Sequence, residues 1–269
     1  MSTGASKPRI LVCEDSDFRV GHAINPWMDP DGSDPALANK QWHAMLETLK
    51  QYADVEVATF DGKLPDEIFW TRDEYAVIKG QIVLASFRHP ERQPETAFWR
   101  QWFADHGYDT IEPVTTFEGG NIVHHGAAYY VGIGDRAEPQ DAAKLSQQFG
   151  VEFVGLPVTS DDYFHLDVAM LSLRDAVFYY PGAFTAEALA EIKRRLPDAH
   201  ELTKDETDGF CANSVAIGDT VIIPAGQASF RAKLEAIGKQ VVELDLSAFK
   251  PIGGGGVHCL TNSLPGMVE

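Results

Sequence analysis

The chain is poor in cysteine, in basic residues and in long apolar runs, and each shortage removes a class of protein. Its three cysteines, Cys13, Cys211 and Cys259, form no CxxC pair. An odd, widely spaced set argues against a disulfide framework. Lysine and arginine number 22 against 40 acids, for a net charge of −18. Such a surface repels phosphate backbones and anionic lipid, so neither nucleic acid nor a membrane surface is an expected partner. It suits a small cationic substrate by weak steering, although a merely soluble acidic surface would look the same. No apolar stretch approaches the ~20 residues of a membrane span. The opening segment MSTGASKPRILVCED lacks the long apolar core of a signal peptide. The chain reads as cytoplasmic, with residues 1–269 forming one domain.

What the chain does have is internal repetition. Five helix-like segments begin near Lys40, Thr96, Gln140, Thr185 and Ala228. In the first, Trp42, Met45, Leu46 and Leu49 make an apolar stripe at helical spacing. Each helix is followed by a strand-like run: VEVATF, TIEPV, VEFVGLP, HELTK and VVELD. Between repeats lie hairpin signals that turn at Lys79-Gly80, His125-Gly126, Arg174-Asp175 and Gly218-Asp219. The turns recur every ~45 residues, the mark of a cyclic repeat. A fifth hairpin requires GGVHCLTNSL near the C-terminus to pair with RILVCED near the N-terminus. The expected fold is therefore an α/β propeller of five ββαβ units around a central axis, one domain because no unit buries both faces alone. An ordinary parallel α/β sheet would not place a hairpin before each helix.

Polar residues interrupt the apolar pattern at the same place in each repeat: WTRDEY (70–75), FEGGN (117–121), FHLD (164–167), GFCANS (209–214) and GGGGVHCLTN (253–262). Rotation of the units brings these five segments to one end of the axis, and with them Asp73, Glu118, His165, Asp167 and Cys259. Cysteine is a strong nucleophile as thiolate. Four glycines before Cys259 let the backbone approach something closely. Histidine passes protons near neutrality, and a carboxylate such as Glu118 can orient it and raise its pKa. Asp73 and Asp167 then need a cation, and a planar guanidinium pairs bidentately with carboxylate. Cys13 and Cys211 read as small core residues. His124 and His125, at a hairpin turn, are expected to face solvent. His165, His258 and Cys259 lack the paired spacing of a zinc motif, so no metal is expected.

At this point the residues resemble a known group. INPWM, WTRD, FRHPER, FEGGN, FHLD and GGGGVHC together are similar to the guanidino-group-modifying enzymes, or penteins, over essentially the whole chain. That group includes arginine deiminases, dimethylarginine dimethylaminohydrolases, agmatine deiminases, arginine dihydrolases and glycine amidinotransferases. The resemblance implies that Cys259 attacks the guanidinium carbon, and that His165 protonates the departing amine and then activates water. It implies that Glu118 supports the histidine, and that Asp73 and Asp167 grip the guanidinium. It matches Arg88 and Arg136 to positions that bind a substrate carboxylate. No cofactor is implied, and a homodimer is compatible with it. The dihydrolase branch carries Asn where WTRD has Asp73. Asp167 resembles the deiminase and amidinotransferase branches, whereas Asp73 and FEGG resemble the dimethylarginine hydrolases. The implied reaction is hydrolysis of the guanidinium C–N bond of arginine or an N-methylated arginine through a covalent amidino-thioether. The alternatives are amidino transfer to an amine, a non-catalytic pentein that binds a partner, and, more remotely, a zinc hydrolase.

Overall fold

A computed structural model of the chain describes residues 7–15, 17–62 and 64–265. Its strands form five sheets of three strands each. In four of them a hairpin supplies two antiparallel strands, and the chain returns to lay a third strand parallel to the second. Tyr75–Ile78 and Gln81–Leu84 form such a hairpin, joined by Thr110–Ile111. Ile122–His125 and Ala128–Ile133 are joined by Glu152–Pro157. Met170–Ser172 and Val177–Tyr179 are joined by His200–Glu201. Val215–Ile217 and Thr220–Pro224 are joined by Gln240–Leu244. The fifth sheet closes the ring. Thr261–Ser263 runs antiparallel to Arg9–Cys13, with Ile10 opposite Ser263 and Val12 opposite Thr261. Asp54–Ala58 lies parallel on the other side. This is the five-bladed α/β propeller expected from the repeat, with the first and last described strands in one blade.

Local chemistry sets the connections. At the first turn both Lys79 and Gly80 have positive φ, 51° and 75°. That is the signature of a type I′ turn, whose twist matches the flanking strands. The returning helices are Pro35–Tyr52, Glu95–Asp105, Asp141–Phe149, Ala186–Arg195 and Ala228–Ala236. The first begins earlier than the apolar stripe suggests. Asp34 caps it by accepting from the Leu37 amide at 3.0 Å, and Pro35 occupies the first position. Two return strands are shorter than expected. Thr110–Ile111 ends before Pro113, which has no amide to give a ladder. His200–Glu201 ends because Thr203 forms a capping box with Glu206 and starts the helix Lys204–Asp208.

The helices turn their apolar faces onto the sheets; Trp42, Met45, Leu46 and Leu49 are all buried. Each such side chain contributes ~1.5–3 kcal/mol when taken from water. Cys13 and Cys211 are fully buried in this core. His124 and His125 depart from expectation, being half-buried rather than solvent-facing. His124 stacks on Tyr129 with centroids 4.4 Å apart, and His125 Nδ1 meets Ser172 Oγ of the next blade at 3.0 Å. Among the described residues no helix is long and apolar enough to cross a membrane.

Candidate active site

The polar segments that precede the hairpins meet at one end of the ring. Asp73 lies in a helical turn, Thr71–Glu74, directly before its strand. Glu118 and His165 stand at the starts of short helical turns, Gly119–Asn121 and Leu166–Val168. Cys259 lies just before the strand that closes the ring. His165 Nε2 is 2.7 Å from Glu118 Oε2. Its Nδ1 is 3.3 Å from Asp73 Oδ1, near enough for attraction but misaligned for a hydrogen bond. Cys259 Sγ is 3.6 Å from Asp167 Oδ2. All five side chains are buried. The structure thus brings together every member of the expected core constellation.

Close approach explains the glycines. A Cβ on Gly120 would stand 2.4 Å from Asp73 Oδ1 and 2.8 Å from His165 Nδ1. A Cβ on Gly255 would stand 2.9 Å from the Cys259 sulfur. Any side chain at either place would displace the reactive groups.

The electrostatics separate the titrating groups. Burial opposes charge on His165, but Asp73 and then Glu118 outweigh it and raise the ring to about 9. Burial also works against the Glu118 carboxylate, yet Arg136 and His165 hold it down at about 2. Asp73 likewise resists burial and stays well below the usual carboxylate range because of His165 and Arg92. Asp167 goes the other way. Burial, opposed by His165 and assisted by Asp73, pushes it up to about 7. Burial and the two aspartates push the Cys259 thiol well up. Perturbed groups of this kind cluster at functional sites.

Two residues in the site are not those the sequence singles out. FRHPER contains two arginines, and the outer one, Arg88, pairs with Glu138 at 2.8 Å with its side chain 41% exposed. Only its backbone amide reaches the site, donating to Glu118 Oε1 at 3.3 Å. Arg92 is the buried one. Its Nη1 donates to Asp73 Oδ2 at 2.6 Å, its Nη2 to Glu95 at 2.9 Å, and its guanidinium lies over the Phe87 ring. The cation expected beside Asp73 is therefore met in part by the protein's own Arg92. The second is Asn213 of GFCANS, fully buried with its amide nitrogen 3.0 Å from Cys259 Sγ. Arg136 is buried, donating to Glu118 Oε2 at 3.3 Å and to the Ile24 carbonyl at 3.1 Å.

Cys259, Asp73, Arg92, Arg136, Trp70 and Phe164 wall a narrow cavity. A roomier cavity lies on the other side of Gly255, with Phe210, Leu244 and Lys250 in its wall. It contains neither Cys259 nor Asp73, so the narrower cavity is the candidate site. Asp73 Oδ1, His165 Nδ1 and Asp167 Oδ1 are buried without a hydrogen-bond partner in the protein. Buried polar atoms are normally paired, so an unpaired set beside the Cys259 sulfur is a candidate place for a ligand. Among the described residues no group of three His, Cys, Asp or Glu is arranged to hold a metal.

Comparison with known proteins bears on this constellation. The family model described as N,N dimethylarginine dimethylhydrolase, eukaryotic, matches residues 28–265. The chain belongs to this family of guanidino hydrolases. It is 32% identical to the N(G),N(G)-dimethylarginine dimethylaminohydrolase of Mycobacterium tuberculosis, over 91% of this chain and 82% of that one. It is 30% identical to the bifunctional arginine dihydrolase/ornithine cyclodeaminase AgrE of Nostoc sp., covering 95% of this chain but only 38% of the relative. The chain therefore spans well under half of that bifunctional protein. AgrE has also been solved as a cysteine-to-alanine mutant in a binary complex with L-arginine, with a TM-score of 0.89. The N-terminal domain of ArgZ, an arginine dihydrolase from the cyanobacterial ornithine-ammonia cycle, superposes with a TM-score of 0.90 at 28% identity, covering 96% of this chain and 98% of that one.

Proposed function

We propose that the chain hydrolyses the guanidinium C–N bond of arginine or an N-methylated arginine, through a covalent amidino-thioether on Cys259 and without a cofactor. One observation carries this reading. Cys259 and Asp73 wall one cavity, Cys259 Sγ contacts Asp167 and His165 Nδ1 faces Asp73, and Asp73 Oδ1 and Asp167 Oδ1 accept no hydrogen bond from the protein. A guanidinium presents only donors, in a planar fork suited to carboxylates. The L-arginine complex of AgrE supports an arginine-type ligand.

The steps follow from the protonation states. Entry of the guanidinium offsets the negative field that holds Cys259 as a thiol, and Asp167, in hydrogen-bond contact with that thiol, accepts its proton. The sulfur adds to the central guanidinium carbon. His165, raised to about 9, carries its proton at neutral pH. Glu118 fixes the Nε2–H, so the proton in play sits on Nδ1 and is given to the departing nitrogen as the C–N bond breaks. The neutral ring next takes a proton from water as its oxygen adds to the same carbon. The C–S bond then breaks as the new hydroxyl gives its proton to solvent, releasing a ureido product; the sulfur leaves as thiolate and regains its proton from Asp167. Asp73, held by Arg92, grips the guanidinium nitrogens together with Asp167. Arg136 meets the substrate carboxylate from the cavity wall. Arg88 joins it only by exchanging its partner Glu138.

The test is a panel of arginine, methylated arginines, agmatine and guanidino acids, with products identified by mass. Citrulline released with ammonia or a methylamine supports the reading and names the leaving group. A requirement for an amine acceptor would instead make the chain an amidinotransferase.

A further inference from the structure

Building on the reading of Cys259 as nucleophile, we propose that Asn213 is a catalytic residue: its side-chain amide donates to the Cys259 sulfur and holds the charge that the sulfur carries during attack. Asn213 is fully buried. Its Oδ1 accepts from the Gly256 amide at 2.8 Å and the Cys259 amide at 3.1 Å. Backbone amides can only donate, so these two bonds fix which end of the side chain is oxygen. The NH₂ end must then face Sγ, 3.0 Å away. The Asn213 carbonyl also accepts from the His258 amide at 3.3 Å. One residue thus holds Gly256, His258 and Cys259, the loop that carries the sulfur.

The backbone around Asn213 is built to place it. Phe210 adopts φ 57°, a conformation costly for an aromatic residue. The turn it makes is closed by the Asn213 amide on the Phe210 carbonyl at 3.0 Å and by Ser214 Oγ on the Cys211 carbonyl at 2.7 Å. The chemistry needs such a donor. Burial, Asp167 and Asp73 all disfavour a thiolate here, whereas the amides of Asn213 and Gly256 favour it. A bound guanidinium is consumed as the sulfur attacks, but the Asn213 donor is still present when the C–S bond breaks and charge returns to sulfur. Preorganised donors of this kind cost no reorganisation during reaction.

The decisive substitution is Asn213→Asp, which keeps acceptor oxygens for the two backbone amides but replaces the N–H facing sulfur with a negative oxygen. Alkylation of Cys259 by iodoacetamide, followed by peptide mass mapping so that Cys13 and Cys211 are counted apart, reads thiolate formation without any guanidine. The rate is expected to fall about tenfold or more at each pH from near neutrality to about pH 9. In turnover assays kcat is expected to fall about 100-fold with KM little changed. Wild-type alkylation rates in a folded Asn213→Asp protein would overturn the proposal. Should that variant not fold, Asn213→Ser and Asn213→Ala decide. The serine hydroxyl can still donate, so the serine variant is expected to alkylate faster, and equal rates overturn the proposal. Failure of the nucleophile reading is a separate result, because it would appear as retained turnover in Cys259→Ser.

Discussion

Asp167→Asn tests the electrostatics of the site through a quantity that does not depend on substrate. Asp167 is raised from 3.8 to about 7, chiefly by burial. Its folded-state pKa lies above its unfolded value, so the folded protein binds this proton more tightly. Stability is therefore lost as pH rises from 3.8 to about 7, and the loss is complete above that range. At about 1.4 kcal/mol per pKa unit, the ionised carboxylate costs the fold up to about 4 kcal/mol at alkaline pH. Asparagine has the same shape and does not titrate. Relative to wild type, the variant should gain about 2.6 kcal/mol between about pH 5 and about pH 8, because wild type loses most of this stability across that interval. Steric differences cancel between the two conditions. Urea unfolding at both pH values measures the effect, read as a shift in midpoint with unchanged slope. The same variant should turn over poorly, having lost the thiol's proton acceptor and one carboxylate on the guanidinium. Stability curves for wild type and variant that run parallel across this interval would refute the reasoning.

The other predictions address the geometry around that carboxylate. Gly120→Ala drives a methyl into Asp73 and His165 and should lower kcat about 100-fold while the protein remains folded, as steady-state kinetics and circular dichroism would show. Arg92→Leu leaves Asp73 and Glu95 buried without their guanidinium and should cost about 3–5 kcal/mol in urea unfolding, more than a surface arginine such as Arg88. Turnover should decline as pH rises through about 9, where His165 loses the proton it gives to the leaving nitrogen. Glu118→Gln should move that alkaline limb to lower pH, because it removes one of the charges that raise the ring.

Much of this site is legible in the sequence because chemistry-bearing residues sit at the same point of each repeat. Asp73, Glu118, His165, Asp167 and Cys259 are far apart in sequence, and only the rotation of the blades makes them neighbours. What the pattern misses depends on burial. Arg88 and Arg92 share one short motif, and nothing local tells which arginine turns inward to Asp73 and which stays outside on Glu138. Asn213 carries no charge and no nucleophile, so its importance emerges only when its amide is found against the sulfur. Return strands are overestimated where a proline or a helix cap competes with pairing, as at Pro113 and Thr203. A turn signal overstates the exposure of His124 and His125, because His124 stacks on Tyr129 of its own blade and His125 meets Ser172 of the next.

The most direct test of the covalent route is to mix the protein with a turned-over guanidine, quench in acid within one turnover, and map the peptides by mass. The covalent route predicts an alkyl-substituted amidino group, the substrate less its departing amine, on the peptide that contains Cys259, absent from Cys13 and Cys211, together with complete loss of turnover in a folded Cys259→Ser variant. Turnover that continues in that variant, or product that forms while Cys259 stays unmodified throughout, would contradict it.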